Sequence, residues 1–395
     1  MIWASALSTK ASASAALADI KRTIDAQLDG QRPDLVCAFV SSHHASHYQY
    51  IAQQCNALFE PRVSIGCSGA GQLGGGCEAE QGPALALCAA HLPDVSIHPF
   101  YCRQEQCPNA DAGPDAWVHL VGADRAQPAH FVLMANLAGP PSFDPRPLLA
   151  GLDFAYPGCT QIGGLASALD DNILFLDGSL HGNGLVGIAL QGNIQVDALV
   201  ARGCRPIGNP MTANTCEENL LFQLDEKPAS QMLAELYHSL SPQDQARMRD
   251  GLLLGIASTE LKDPLEPGDF LMRNIVHMDH EKGYLAIGDV LRPGQTVQFH
   301  LRDAEAASEE LDILLQDYCA RGARPRGSLL FTCTGRGQQL FSHPEHESKA
   351  FFERVGHVPL TGFFCSGEIG PVGPSTHLHG YTSSFRSEEH TSELQ

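Results

Sequence analysis

The sequence lacks basic clusters. Lys and Arg total 25 against 45 Asp and Glu, a formal net charge of -20, and the basic residues are scattered. A field of that sign repels phosphate backbones and anionic membrane surfaces, so neither nucleic acid nor a membrane surface is an expected partner. There is no run of 18 or more apolar residues to span a bilayer. The first residues, MIWASALSTK, lack the basic and long apolar segments of a secretory leader. No C-x-x-C pair occurs among the 13 cysteines, which excludes a zinc ribbon or thioredoxin-like motif. Most of them sit in apolar runs such as LVCAFV and ALALCAAHL, as small buried hydrophobes of a reducing compartment do. The expected location is the cytoplasm.

Common catalytic signatures are missing too. GRGQQLF (Gly335 to Phe341) has no GK[ST] and is not a P-loop. No GxSxG elbow and no HExxH occurs. His43, His44 and His47 have no carboxylate close by in sequence, so they read as capping or solvated histidines rather than a metal cluster. No metal or cofactor is expected.

What is present is enough apolar sequence for sizeable cores. Hydrophobic residues make up 43% and charged residues 18% of 395 residues, too long a chain for one ordinary core. Two domains are expected, 1–215 and 216–385, divided at the polar, turn-rich Cys204 to Asn219. The last ten residues, RSEEHTSELQ (Arg386 to Gln395), match one reading frame of a common sequencing-adapter oligonucleotide. They read as a tail foreign to the fold, expected to make almost no buried contacts.

A strand–helix–strand–strand order recurs three times. Helical spacing runs from Ser12 to Leu28, with Ala16, Leu17, Ile20, Ile24 and Leu28 on one face. DLVCAFVSS then reads as a buried strand, His47 to Phe59 as a helix, and VSIGCSGAG as a strand ending in small residues. FVLMANL, Arg146 to Phe154 and TQIGGLASA repeat the order, with NILFLDG and GLVGIALQG as a hairpin. SLLFTCTGRG, Glu345 to Val355 and LTGFFCSGEIG repeat it again. Aligned by residue type, CSGA (Cys67 to Ala70), GLAS (Gly164 to Ser167) and CSGE (Cys365 to Glu368) share one slot, a repeat weak in letter identity and clearer in pattern. Between the second and third units, Leu220 to Leu240 reads as helical, four strands follow, and Ala304 to Ala320 is an amphipathic helix. The expected fold class is mixed α/β: repeated units forming sheets, with helices packed on them.

The third unit carries the candidate chemistry. Arg336 and Glu368 end strands of one unit. As neighbours they face each other at the mouth of a cleft, Arg for a ligand carboxylate and Glu for an ammonium, which suits an amino acid or similar zwitterion. The small turn places the backbone N–H groups of Ser366 and Gly367 beside them, with Cys365 and His379 close in sequence. The ordinary alternatives are a structural ion pair and tight packing of strand on helix. A rival reading is an enzyme using Cys365, Glu368 and His379 in the same cleft, and a third is a protein-interaction scaffold.

Longer matches point to a family. GSLLFTCTGRGQQLF, VPLTGFFCSGEIGPVG and HLHGYTSSF resemble the C-terminal signature of the FIST family (F-box and intracellular signal transduction). DFLMRNIVHMDHEKGYLAIGDVLRPGQTVQFHLRDA resembles the front of the same domain. ASALST, SIGCSGAG and QIGGLASA resemble the family's N-terminal domain. The resemblance implies a paired sensory module for small ligands such as amino acids, with a signalling protein as partner. It implies no established reaction and no catalytic residues.

Overall fold

A computed structural model describes residues 1–389 apart from 110, 170, 260, 261 and 263. The first repeat runs β1 (Ile2–Ser8), α1 (Ala13–Leu28), β2 (Leu35–Ser41), α2 (Tyr48–Phe59), β3 (Val63–Gly69), a hairpin β4 (Gln72–Gly74) and β5 (Cys77–Ala79), then β6 (Leu85–His91). Its first helix starts where the Ser12 side chain accepts the Ala15 N–H and stops where Asp29 and Gly30 turn left-handed. The second repeat has the same order: β7 (Val95–Cys102), α3 (Pro114–Val121), β8 (His130–Asn136), α4 (Arg146–Ala155), β9 (Thr160–Leu165), β10 (Leu174–Leu176), β11 (Ser179–His181) and β12 (Gly184–Gly192).

The third repeat begins with β13 (Gln195–Arg202) and is then interrupted. The interruption comprises β14 (Cys204–Glu217), β15 (Leu220–Leu224), β16 (Lys227–Pro228), α5 (Ala229–Ser239), α6 (Pro242–Gly251), β17 (Leu252–Ala257), β18 (Phe270–Asp279), β19 (Tyr284–Ile287) and β20 (Gln295–Arg302). The repeat then resumes with α7 (Ala304–Ala320), β21 (Gly327–Cys333), a short α8 (Gln338–Phe341), α9 (His346–Val355), β22 (Leu360–Cys365), the hairpin β23 (Glu368–Val372) and β24 (Ser375–His379), and β25 (Thr382–Glu389).

The three repeats build three six-stranded sheets of one design. In each, a parallel pair (β2–β3, β8–β9 or β21–β22) is flanked by the repeat's own antiparallel closing strand and opening strand. The other edge is filled by a hairpin from a different repeat. β10–β11 extends the first sheet, β23–β24 the second and β4–β5 the third, so the exchange is cyclic and each of these edges is covered. The hairpin expected between NILFLDG and GLVGIALQG is therefore absent. β10 pairs with β3 of the first repeat, while β12 pairs with β7 and β8.

Inner faces of all three sheets meet in one apolar core, where Phe39, Phe331 and Phe363 pack ring to ring. α1 and α2 cover the outer face of the first sheet, and α3 and α4 that of the second.

Hydrogen-bond register aligns the repeats better than their letters do. Gly66, Gly163 and Gly362 pair with Ala38, Leu133 and Leu330, each the fourth residue of the first strand of its repeat's parallel pair. A Cβ on any of the three would lie 1.9, 1.7 or 1.7 Å from that partner's carbonyl oxygen, so the slot accepts only glycine. By this register CSGA aligns with GLAS, but the third unit is displaced by two residues, so Phe363 to Ser366 rather than CSGE holds the slot. Similar residue types had aligned chain that backbone pairing does not.

The interruption forms a compact unit of its own. The chain divides into Met1–Ala201, Asp312–Leu378 and the segment from Thr382 on as one unit, and Arg202–Leu311 with His379–Tyr381 as the other. The second unit is an antiparallel sheet closed on itself, β14–β20–β17–β18–β19–β15 and back to β14, around Leu221, Leu254, Ile256, Val297 and Phe299. The polar stretch expected to be a domain linker is β14, its polar residues mostly on the solvent side. Leu220 to Leu240 is only partly helical. LLFQL, with two buried leucines three residues apart, is the strand β15, and the helix starts at Ala229. Among the described residues, no helix is long and apolar enough to cross a membrane.

The tail does not stay off the fold over its described part. Arg386 to Glu389 complete β25 and pair with β21, because the pairing joins backbone N–H and C=O groups that every residue except proline carries. Residues 390–395 lie outside the described residues. Arg386 pairs with Leu329 where the other repeats pair Cys88 with Cys37 and Ile188 with Val132. Glu388 stands where they carry Ala90 and Leu190. Arg386 and Glu388 are thus buried where the other repeats place apolar residues, paired with each other at 2.6 Å, and burial raises the Glu388 carboxyl above its usual range.

Candidate functional site

The small-residue turns after β3, β9 and β22 converge and lace to one another. Ala70 N–H donates to Ser167 Oγ at 3.0 Å, and the Ser167 hydroxyl donates to the Phe364 carbonyl. Ser366 Oγ donates to the Ala166 carbonyl at 2.8 Å, and Phe364 N–H donates to the Gly71 carbonyl at 2.9 Å. Their small size serves this mutual packing. The Ser366 N–H, expected to face a ligand, donates to the Leu165 carbonyl at 3.2 Å, and the Gly367 carbonyl accepts the Leu165 N–H at 2.8 Å.

Directly after these turns lies one equivalent position per repeat. Gln72, Leu174 and Glu368 open their hairpins and pair with Phe363, Cys67 and Gly164, each the residue following a slot glycine. All three are fully buried. Burial pushes the Glu368 carboxyl up to about 8, against hydrogen bonds from Thr382, the charge of Arg336 and the Cys333 thiol, which pull it down. Thr382 donates from both N–H (3.1 Å) and Oγ1 (2.9 Å) to Glu368 Oε2, while Oε1 accepts no hydrogen bond from the described residues. The first repeat fills the same position with the neutral amide of Gln72, so at neutral pH Glu368 is a protonated acid in a place suited to an uncharged group.

Arg336 is near enough for its charge to act on Glu368. Its hydrogen-bonded partner is Glu347 of α9, at 2.6 Å from Nε to Oε1, and its guanidinium lies 5.4 Å from the Phe341 ring centroid. Both ends of that ion pair are buried, Arg336 at 1% exposure, which corrects the expectation of an arginine at a cleft mouth. Glu78, from the exchanged hairpin of the first repeat, accepts the Ser348 N–H at 2.7 Å and is pushed up to about 7 by burial and by the neighbouring Glu347 charge. Glu347, Glu78 and Thr382 were not legible as site residues. Each is an ordinary helix or strand residue in sequence, and only the hairpin exchange and the closing strand bring them here.

Cys365 is completely buried, and burial raises its thiol far above its usual range, opposing the thiolate that a nucleophile needs. Its Sγ points at the Phe363 carbonyl (3.5 Å), and a Cβ on Gly164 would fall 2.3 Å from that sulfur. His379 ends β24, buried, in the short segment that groups with the inserted unit rather than with the three-sheet unit. His44 is buried in the turn after β2, and burial lowers its imidazole.

Three repeats with one interrupted member, and a buried acid where their turns meet, describe a two-unit module. The chain belongs to the FIST family: the FIST N domain matches residues 34–227 and the FIST C domain residues 229–371. The join between these matches falls inside the inserted unit, before α5. An uncharacterised protein of Mycobacterium tuberculosis is 33% identical over 365 residues, covering 91% of this chain and 92% of that protein. An uncharacterised Mycobacterium bovis protein is 31% identical over the same length, covering 91% of each. An F-box/LRR-repeat protein of Arabidopsis thaliana is 23% identical, over 78% of this chain and 68% of that protein. FIST domains are associated with sensing in signal transduction.

Proposed function

We propose that this chain is a small-molecule-binding sensor of cytoplasmic signal transduction, reading an amino acid or similar compound and passing the result to a signalling protein. Recognition centres on Glu368 and Arg336, with Cys365, Ser366, Gly367 and His379 as the residues first expected around them. The observation that carries the reading is the state of Glu368: fully buried, pushed up to about 8, with Oε1 accepting no hydrogen bond from the described residues. A structural role is already filled by an amide at the equivalent Gln72. A carboxyl held neutral beside a buried cation can meet a ligand ammonium by giving up its proton.

The test is a thermal-shift screen with amino acids, nucleotides and haem, because a ligand that binds only the native state raises its melting temperature. A hit should stabilise the wild type but not Glu368→Gln, and calorimetry in buffers of different ionisation enthalpy should show proton release. No hit, or equal stabilisation of the variant, overturns the reading. The enzyme alternative uses the same carboxyl as an acid, and turnover of the hit would favour it.

A further inference from the structure

Two thiols of the second repeat lie against each other at the rim of its core. β7 ends at Cys102, which is fully buried and paired in register with Leu185. The chain then turns through Gln104–Gln106. There the Gln106 N–H donates to the Arg103 carbonyl at 2.9 Å, the Cys107 N–H to the same carbonyl at 3.1 Å, and Gln106 Oε1 accepts the Arg103 N–H at 3.2 Å. This turn folds Cys107 back over Cys102, so that the two thiols hydrogen-bond to each other. Cys107 is half-buried and packs against the same apolar cluster that holds Cys102.

The pair is asymmetric. Cys107 accepts from Cys102, and this bond holds its thiol below the usual range against the opposing effects of burial and of the Asp144 charge. Cys102 is raised by the same hydrogen bond and by its burial. The Arg103 carbonyl, 3.4 Å from Cys102 Sγ, is a second acceptor for the Cys102 proton. Thiolate character and access together make a cysteine reactive, and Cys107 combines both with a second thiol in contact. Cys77 is exposed, yet partial burial and the Glu345 charge raise its thiol. Cys37 and Cys88 also hydrogen-bond to each other, but both are sealed in the core.

We propose that Cys102 and Cys107 form a redox-active dithiol, closed to a disulfide by hydrogen peroxide and reopened by a small thiol. Cys107 Sγ attacks one oxygen of the peroxide. The S–O bond forms, the O–O bond breaks, and the departing hydroxide takes up a proton as water, leaving Cys107 a sulfenic acid. Cys102 Sγ then attacks that sulfur. The S–S bond forms, the S–O bond breaks, and the oxygen leaves as a second water with the Cys102 proton. Two thiols are oxidised and one peroxide is reduced to two waters. A small thiol reverses the step by exchange through a mixed disulfide and is itself oxidised to its disulfide. Gln104 Oε1 accepts the Asp144 N–H at 2.8 Å, just before α4, so the disulfide clamps a turn already anchored to the second repeat. The site is separate from Glu368 and does not rest on the reading given for it.

The experiment treats the reduced full chain with equimolar hydrogen peroxide, blocks the remaining thiols with iodoacetamide and maps the peptides without reduction. Trypsin cuts after Arg103, between the two cysteines, so the disulfide joins two peptides and fragmentation locates it. The expected product is the Cys102–Cys107 link, reversed by dithiothreitol. Cys107→Ser, a sulfur-to-oxygen change at a half-buried position, should consume peroxide at least about tenfold more slowly than the wild type. Cys102→Ser should stop at a sulfenic acid on Cys107, trapped by dimedone. Cys77→Ser, outside the pair, should leave the rate unchanged. A wild-type rate in Cys107→Ser overturns the proposal. So does a map in which peroxide oxidises other cysteines first, or in which Cys107 remains a free thiol.

Discussion

Single buried charges dominate at the residue scale. Arg336 and Glu347 form a buried pair, so Arg336→Ala strands a carboxylate in the core. It should destabilise by about 3–5 kcal/mol, measured by denaturant unfolding. A loss under about 1 kcal/mol would mean that water reaches the site and that the pair is weak. Glu368 gives the opposite pH signature to an ordinary salt-bridged acid. Its folded value of about 8 lies above its ordinary 4.5, so the folded state binds the extra proton. Its contribution to stability is complete below about pH 4.5 and is lost as pH rises towards 8. Glu368→Gln should therefore match the wild type near pH 5 and exceed it by about 1–3 kcal/mol at pH 9. A difference between the two that does not vary with pH would refute the raised value.

Arg386 and Glu388 make the same point in the central core, where the other repeats have Cys88, Ala90, Ile188 and Leu190. We propose that the segment from Arg386 is foreign to the fold and occupies a strand position whose side chains should be apolar. Replacing the pair by Arg386→Ile with Glu388→Leu should raise stability by about 1–4 kcal/mol. A lower melting temperature for the double variant would show that the pair belongs where it is.

At the element scale the parallel strand pairs depend on one glycine each. Gly362→Ala sets a Cβ 1.7 Å from the Leu330 carbonyl oxygen, an immovable backbone atom. The cost should exceed about 4 kcal/mol, seen as loss of the cooperative melt. Gly380→Ala, with nothing within 4 Å of the added Cβ, should stay within about 0.5 kcal/mol. Equal effects at both positions would undo the register argument. The sequence marks these glycines only as small residues in strands. Their equivalence is invisible by letter, since CSGE resembles CSGA while the paired register runs two residues earlier.

On the scale of the whole molecule, the third repeat is interrupted between its first strand and its first helix. The interruption enters by β14 and leaves by β20, with Cys204 opposite Arg302 and the Asp303 N–H donating to the Gly203 carbonyl at 3.2 Å. The excision points are therefore adjacent. Joining Gly203 to Asp303 through a short Gly/Ser linker should leave a chain that folds, with strand-rich circular dichroism and a single melt. An insoluble or unfolded product would show that the three-sheet unit needs its insertion.

The strand–helix–strand order of all three repeats, the helices of the first repeat and Ala304–Ala320 were legible in the sequence. Each is decided locally, by apolar spacing and by caps such as Ser12. The family was legible as well, from long runs such as GSLLFTCTGRGQQLF. The exchange of hairpins among repeats, the burial of Arg336 against Glu347 and the neutral state of Glu368 were decided only by the tertiary structure. Those outcomes depend on which sheet edge a hairpin reaches and on which charges are left beside a group once water is gone. Neither quantity is carried by the spacing of neighbouring residues. A strand with alternating burial looks the same whether it pairs within its own repeat or closes the sheet of another.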